Sequence, residues 1–374
     1  MKKYFLFFVI AWSIFIFHSI YTKHAIYGDG NGYYSYTQAL YFERSLDFGP
    51  IYNYLGHFQG RTGEFSRVFW NPDRNNPFSI GTSVTWLPSM FIMSLFESNR
   101  FSLIYELGPG LSGIIFMLSG LYFIEKFLLR RFSKKVVFWT ILTLFFGSNI
   151  FYYTSFEPAL SHQPAFFIVS LLLYLSDNKK VNLFSLGLLS GLLAAIRIGD
   201  IILLLPILYA IKDRGLKLIN FIGGFLIGVS PQLANQVAQY HGLLVNPYLS
   251  GQNGIWQINL GHSIEFLFSP KRGLFTWAPV FLMASWGLIK NNKVIILITL
   301  FILFIVASSW EAYLSAGFGQ RFMFSAIPYF SIGLAYIYNT FSTKTILKSF
   351  SFFSLYNFLL IYGFYILGWK NLPA

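Results

Sequence analysis

Apolar stretches of roughly 20 residues recur along the whole chain, and they constrain the fold more than any other feature. A helix of this length and composition can cross the hydrocarbon core of a bilayer. Only 11% of the 374 residues are charged, whereas soluble domains carry about a quarter. Transmembrane β-strands would instead alternate polar and apolar residues over about ten positions. The sequence therefore predicts an all-α, polytopic membrane protein with one transmembrane domain, residues 1–374.

The distribution of Lys and Arg predicts the orientation of the helices. Lys2 and Lys3 precede the first apolar run, and no small-residue cleavage site follows, so we expect an uncleaved anchor with a cytoplasmic N-terminus. Ten further spans, about 11 in all, are predicted near 103–128, 136–153, 162–176, 182–197, 199–211, 216–235, 273–289, 294–310, 322–341 and 348–368. The cytoplasmic segments then hold 16 basic residues and three acids, which accounts for the whole net charge of +13. This bias is typical of a bacterial-type plasma membrane, and it removes the need for a nucleic-acid surface.

The first outer loop, residues 22–102, is predicted to contain two helical segments. Residues 33–48 repeat apolar side chains at helical spacing and predict an interfacial helix along the membrane surface. Residues 81–96 are apolar but short and contain Pro88. A full span there would move the Arg130-Arg131 cluster outside, against the positive-inside bias, so we expect a helix that dips into the membrane and returns.

An acid flanked by glycines opens this outer loop. The motif Gly-Asp-Gly-Asn-Gly-Tyr-Tyr occupies residues 28–34, and its glycines let a substrate approach the backbone closely. Asp29 has the chemistry of a general base that activates an acceptor hydroxyl. The alternative is an ordinary turn acid that caps the following helix.

A second outer segment, residues 154–161, leads into a predicted span and carries Glu157, with His162 at its end. Charged and histidine side chains at a membrane boundary are costly to keep without a role. They suggest a site for a sugar or for a divalent metal, although two ligands alone are a weak metal signature. The alternative is a polar cap in which the prolines shape the helix ends. The cofactor is otherwise unknown.

Four basic residues lie at outer span ends, against the positive-inside bias: Arg197, Lys271, Arg272 and Arg321. A phosphate group would explain them, because Arg offers a planar fork and Lys a point charge. Each has a simpler alternative. Arg197 has Asp200 three residues away, Arg321 has Glu311 nearby, and the Lys271-Arg272 pair fits anionic lipid head groups.

Several chemistries lack support in this sequence. Cysteine is absent, which excludes disulfides, thiolate metal ligands and a cysteine nucleophile. The chain contains no GxSxG, HExxH or Walker motif and no strand-associated GxGxxG motif. Chemistry on nucleotides is therefore not indicated.

The order of these segments resembles the GT-C superfamily of membrane glycosyltransferases, which includes the protein O-mannosyltransferases and the aminoarabinose transferase. The stretch GDGNGYY resembles the first-loop motif of that superfamily, and NPFSIGTSVTWLPSMF resembles the stretch that ends in a short Pro-containing helix. The segments EPALSH, FSPKRGLFTWAP and GFGQRF resemble parts of bacterial members.

The resemblance implies a polyprenyl-phosphate-linked sugar as donor and a glycan, lipid or protein hydroxyl as acceptor. Asp29 would be the base of an inverting transfer, and Arg272 and Arg321 would hold the lipid phosphate. Glu157, His162 and Lys271 would extend the site. Many relatives carry a second acid beside the first-loop aspartate, whereas Gly30 stands here, so a family-like metal site at that position is in doubt.

Two other functions stay open on the sequence. A transporter or flippase of a lipid-linked sugar would need polar groups at mid-membrane and usually a two-fold internal repeat, and neither is visible. A non-enzymatic membrane subunit would lack convergent polar residues in its outer loops.

Overall fold

The computed structural model describes residues 2–54, 75–178, 180–243, 245, 258–310 and 317–369. These residues form helices and no strands, which confirms the all-α prediction. The first five helices are α1 (Lys2–Thr22), α2 (Gly30–Gln38), α3 (Gly49–Asn53), α4 (Gly81–Ser94) and α5 (Leu103–Leu128). A π-helical turn, Ala39–Glu43, continues α2.

The middle and last parts of the chain are equally helical. The middle helices are α6 (Lys134–Phe146), α7 (Ile150–Ser155), α8 (His162–Ser176), α9 (Leu183–Ile196), α10 (Leu205–Ile211) and α11 (Leu218–Tyr240). The last are α12 (Ser263–Phe268), α13 (Leu274–Trp277), α14 (Val280–Lys290), α15 (Val294–Ser308), α16 (Ile327–Thr340) and α17 (Thr343–Tyr365). Short 3₁₀ helices connect them at Ile198–Leu204, Lys212–Lys217, Leu260–His262 and Arg321–Ala326.

Four helical stretches of the described chain have the length and composition of membrane spans: α1, α5, the kinked run Ile198–Tyr240 and α17. The helices α8, α9, α14 and α15 are apolar but shorter. The count is lower than predicted partly because two expected spans are interrupted. Residues 136–153 break at Gly147 between α6 and α7, and residues 273–289 break at Pro279 between α13 and α14. The larger number of spans stays a prediction.

Helices α1 and α5 run antiparallel and are joined at both ends. At one end, Lys3 Nζ lies 2.7 Å from Glu125 Oε1, and the Tyr4 hydroxyl donates to Glu125 Oε2 at 2.6 Å. At the other end, just beyond α1, the Ala25 amide donates to the buried Glu106 carboxylate at 2.8 Å. The 26 residues of α5 extend about 39 Å. The loop that follows Ala25 therefore starts at the end of α5 opposite Glu125.

The first loop folds against the helix bundle. Helix α2 begins three residues before the predicted interfacial helix 33–48, and all nine of its residues are buried by protein. Tyr33, for example, makes edge contacts with Phe78 and Trp86. Helix α4, within the predicted dipping segment 81–96, has 14 residues and a length of about 21 Å, too short for a hydrocarbon core of about 30 Å.

Candidate active site

A cavity of about 430 Å³ lies where the first loop meets the ends of α8 and α9 and the second half of α15. Its polar lining residues are Asp29, Tyr33, Ser79, His162, Arg197, Asp200 and Arg321. Its apolar lining residues are Ile196, Ile198, Leu303, Val306, Ala307, Trp310 and Phe322. The volume is in the range of small-molecule sites. The lining suits a ligand that has a polar head and an apolar tail.

Asp29 enters this cavity from a tightly packed turn. Gly28 adopts a left-handed conformation with φ +49°, which an L side chain rarely takes. A Cβ atom on Gly30 would lie 2.5 Å from the Ala159 carbonyl oxygen, so the turn packs directly on the segment before α8. Asp29 precedes α2, yet its side chain makes no capping hydrogen bond. The capping alternative is therefore not formed.

The Asp29 carboxylate instead pairs with Arg321. Arg321 Nη2 lies 2.9 Å from Asp29 Oδ2. The arginine side chain is 13% exposed and the aspartate side chain 37%. Burial lowers the pKa of Arg321, but the Asp29 carboxylate favours the charged form, and the net effect raises that pKa. Arg321 is thus a permanent cation at the cavity wall. Glu311, its expected partner, lies outside the described residues.

Arg197 is held by protein groups on two sides. Its Nε donates to Asp200 Oδ2 at 3.1 Å, and its Nη1 donates to Ser161 Oγ at 3.1 Å. The Asp200 side chain is only 2% exposed. The pairing alternative predicted for Arg197 is therefore the one the structure shows, while the guanidinium still lines the cavity.

Tyr33 shares a hydrogen-bond acceptor with Arg197. Its hydroxyl donates to Ser161 Oγ at 3.1 Å, the same oxygen that accepts from Arg197. Burial, followed by the nearby Asp29 carboxylate, raises the pKa of Tyr33 to about 12. The hydroxyl consequently stays protonated at physiological pH and acts as a hydrogen-bond donor.

His162 opens α8 and faces two aromatic rings. Its ring centroid lies 6.0 Å from that of Tyr153 and 5.9 Å from that of Phe324. The side chain is buried, and within the described part of the chain its Nδ1 has no hydrogen-bond partner. Leaving such an atom unsatisfied costs about 1–3 kcal/mol. A hydroxyl group of a bound ligand would offset that cost.

Three predicted site residues do not line the cavity. Glu157 accepts a hydrogen bond from the Tyr152 hydroxyl at 2.7 Å. Arg272 is buried, and its pKa is lowered by burial and by the nearby Arg321 cation. Lys271 is exposed. The structure thus gathers Asp29, His162, Arg197 and Arg321 at one cavity and leaves the other three outside its lining.

Among the described residues, the side chains at this cavity do not form a metal site. In the described ranges, no three His, Cys, Asp or Glu side chains are grouped so that they could hold an ion. His162 lines the cavity, whereas the Glu157 carboxylate accepts from Tyr152. In this described part of the chain, the metal alternative at Glu157 and His162 gains no third ligand.

Sequence reasoning missed two parts of this site. The first is the hydroxyl pair of Tyr33 and Ser161, which gave no signal because tyrosine and serine are common throughout the outer loops. The second is the apolar wall of α15, formed by Leu303, Val306 and Ala307. These residues share one helical face, but the whole helix is apolar, so no contrast marks that face.

Comparisons with protein-family models, curated proteins and solved structures find no match for this chain. The resemblance to the GT-C superfamily consequently rests on the short motifs quoted above. Function has to be inferred from the chemistry of the cavity.

Proposed function

We propose that this chain is a GT-C-type membrane glycosyltransferase with about 11 spans. It moves a sugar from a polyprenyl-phosphate carrier to an acceptor hydroxyl on the outer face of a bacterial-type plasma membrane. The observation that carries the proposal is the meeting of Asp29 and Arg321 at one cavity that also has an apolar wall. A carboxylate suits the acceptor, a guanidinium suits the phosphate, and the wall suits the lipid.

In the proposed reaction, the Asp29 carboxylate takes the proton of the acceptor hydroxyl. The hydroxyl oxygen bonds to the anomeric carbon, and the bond from that carbon to the phosphate oxygen breaks with its electron pair. Attack opposite the leaving group inverts the anomeric configuration. The charge that develops on the departing lipid phosphate is stabilised by Arg321, whose partly buried position strengthens the interaction.

The other lining residues supply binding groups for the donor. Leu303, Val306 and Ala307 of α15 offer an apolar surface for the first isoprenoid units. The Arg197 guanidinium adds a second positive group, although Asp200 balances its charge. His162 can hydrogen bond to a sugar hydroxyl through its unsatisfied nitrogen, and the Tyr33 hydroxyl oxygen, whose proton goes to Ser161, can accept from another.

The depth of the charged residues in the membrane separates a transferase from a transporter. Asp29 precedes α2, Arg197 directly follows α9, and Arg321 begins a 3₁₀ helix. The charged groups of the cavity thus lie at helix ends. A transporter of a lipid-linked sugar would place its binding groups near the bilayer midplane, where interrupted helices also supply helix ends, so it remains the alternative function.

The test begins with the lipid that the protein carries. The full chain is purified in lipid nanodiscs, and mass spectrometry identifies polyprenyl-phosphate lipids that copurify with it. Sugar transfer from that donor is then measured for the wild type, Asp29→Asn, Arg321→Ala and the control Lys271→Ala. We expect both cavity variants to lose transfer and the control to keep it. If both folded cavity variants transfer at the wild-type rate, the proposed mechanism is wrong.

A further inference from the structure

We infer that Asp29 changes partner during the reaction: Arg321 holds it before the donor binds, and the donor phosphate displaces it. The carboxylate can act as a base only after that exchange, so the donor must bind before the acceptor is deprotonated. This inference rests on the proposed function and adds an order of events to it.

The contact itself is the first support. Arg321 Nη2 and Asp29 Oδ2 are 2.9 Å apart, a normal length for a charge-assisted hydrogen bond. The pair joins the first loop to the turn before α16, and both side chains line the cavity. In this arrangement the oxygen proposed to receive a proton is already engaged by the group proposed to bind phosphate.

The two partners differ in how firmly they are fixed. Arg321 is 13% exposed, and its guanidinium carbon lies 5.7 Å from the centroid of the Phe322 ring. The Asp29 side chain is 37% exposed. The ion pair with Arg321 is the polar side-chain contact found for Asp29 among the described residues. When a second anion arrives, the carboxylate is therefore the partner that can turn away, by rotation of its side chain.

A phosphate is a strong competitor for this arginine. The donor phosphate is a diester that carries one negative charge, as a carboxylate does, and it presents two non-bridging oxygens to the guanidinium fork. The phosphate and the Asp29 carboxylate compete for the same N–H donors of Arg321. When phosphate occupies them, the ion pair between Asp29 and Arg321 is weakened. The displaced Asp29 stays within the cavity, because the backbone of its turn is fixed against Ala159.

Competition gives a measurable consequence: removal of the Asp29 charge should tighten phosphate binding while it abolishes transfer. The probe is farnesyl phosphate, a short polyprenyl phosphate, titrated into the full chain in nanodiscs, with farnesol as the uncharged reference. We expect Asp29→Asn to bind the probe about tenfold tighter than the wild type, a difference of about 1.4 kcal/mol. Asp213→Asn, at an exposed acid outside the cavity lining, is the charge-matched control and should bind like the wild type.

The outcomes separate the inference from the proposed function. If the wild type binds farnesyl phosphate above farnesol, but Asp29→Asn binds it equally or more weakly, the exchange of partners is wrong and the proposed function stands. If the wild type binds farnesyl phosphate no more tightly than farnesol, both the exchange of partners and the proposed function are wrong. Should the Asn variant misfold, Asp29→Ser removes the same charge and must show the same tightening.

Discussion

The cavity contains two arginine–aspartate pairs that differ in the exposure of the acid and in the sequence separation of the partners. Arg197 and Asp200 are three residues apart, their acid is 2% exposed, and Ser161 holds the arginine from a second side. Arg321 and Asp29 come from opposite parts of the chain, and their acid is 37% exposed. The local pair, Arg197 and Asp200, has the burial of a structural ion pair. The long-range pair, Arg321 and Asp29, combines a largely buried cation with an accessible anion. Accessibility of the acid, more than the pairing itself, marks the candidate for chemistry.

The largest expected effect comes from breaking the long-range pair at its acid. Asp29→Asn should lower kcat for transfer about 10³-fold, because a general base contributes typically 10²–10⁴-fold. Folding should be retained, since this carboxylate is more than a third exposed. Transfer kinetics and thermal unfolding of the same preparation check both statements. A variant that loses activity only in proportion to lost folded protein would contradict the role as base.

Changing the cation of the same pair should have the next largest effect. Arg321→Lys keeps the charge but loses the planar fork. We expect kcat/KM to fall about 10²-fold, in line with the loss of one preorganised group at a developing anion. Arg321→Gln removes the charge as well, so comparing kcat/KM of the Lys and Gln variants separates the effect of charge from that of geometry. If both variants lose kcat/KM equally, a positive charge without the planar fork gives no benefit.

Breaking the local pair, Arg197 and Asp200, should lower stability more than it lowers the transfer rate. Asp200→Asn leaves the largely buried Arg197 without its counter-ion, and we expect a loss of about 2–3 kcal/mol in stability, less than for a fully buried pair. Transfer per folded molecule should fall less than about tenfold. Thermal unfolding in detergent and transfer assays at low temperature measure the two quantities. A stable variant with a 10³-fold rate loss would place Asp200 among the reacting groups.

Tyr33→Phe should have a smaller effect, because it removes one hydrogen bond, to the Ser161 hydroxyl that also accepts from Arg197. The expected cost is about 1 kcal/mol of stability. The direction of the pH dependence of stability is also defined. Folding raises the pKa of Tyr33 from its ordinary value of 10.0 to about 12, so its contribution to stability is present below pH 10 and is lost as pH rises toward 12. The difference in unfolding temperature between the wild type and Tyr33→Phe should therefore shrink above pH 10. A constant difference would contradict the raised pKa.

The smallest effect is expected at Lys271, which the sequence nominated and the structure leaves exposed outside the cavity lining. Lys271→Ala should change kcat/KM by less than about twofold, as is usual for an exposed charge without a bound partner. A tenfold loss would mean that the phosphate extends beyond the described cavity.

The two pairs also show what can be predicted from sequence. The span predictions 103–128 and 162–176 coincide with α5 and α8, since hydrophobicity and flanking polar residues define them. The breaks at Gly147 and Pro279 were not predicted, because apolar composition continues across both. Charge bias indicated that Arg197, Arg272 and Arg321 belong near one face. It carries no information on which way each side chain points, so Arg272 was predicted alongside cavity residues although it does not line the cavity. A pair as distant as Asp29 and Arg321 depends on tertiary folding.

The contact between Gly30 and Ala159 has a consequence for recognising relatives of this chain. A Cβ atom at position 30 would lie 2.5 Å from the Ala159 carbonyl oxygen, a clash that no side-chain rotation relieves, so we expect any side chain there to shift the neighbouring carboxylate away from its arginine. Position 30 should therefore be glycine wherever this site is preserved. Aspartate followed by glycine in the first loop, joined to an arginine before a late helix, is then a signature for detecting homologues whose overall sequences have diverged too far to align.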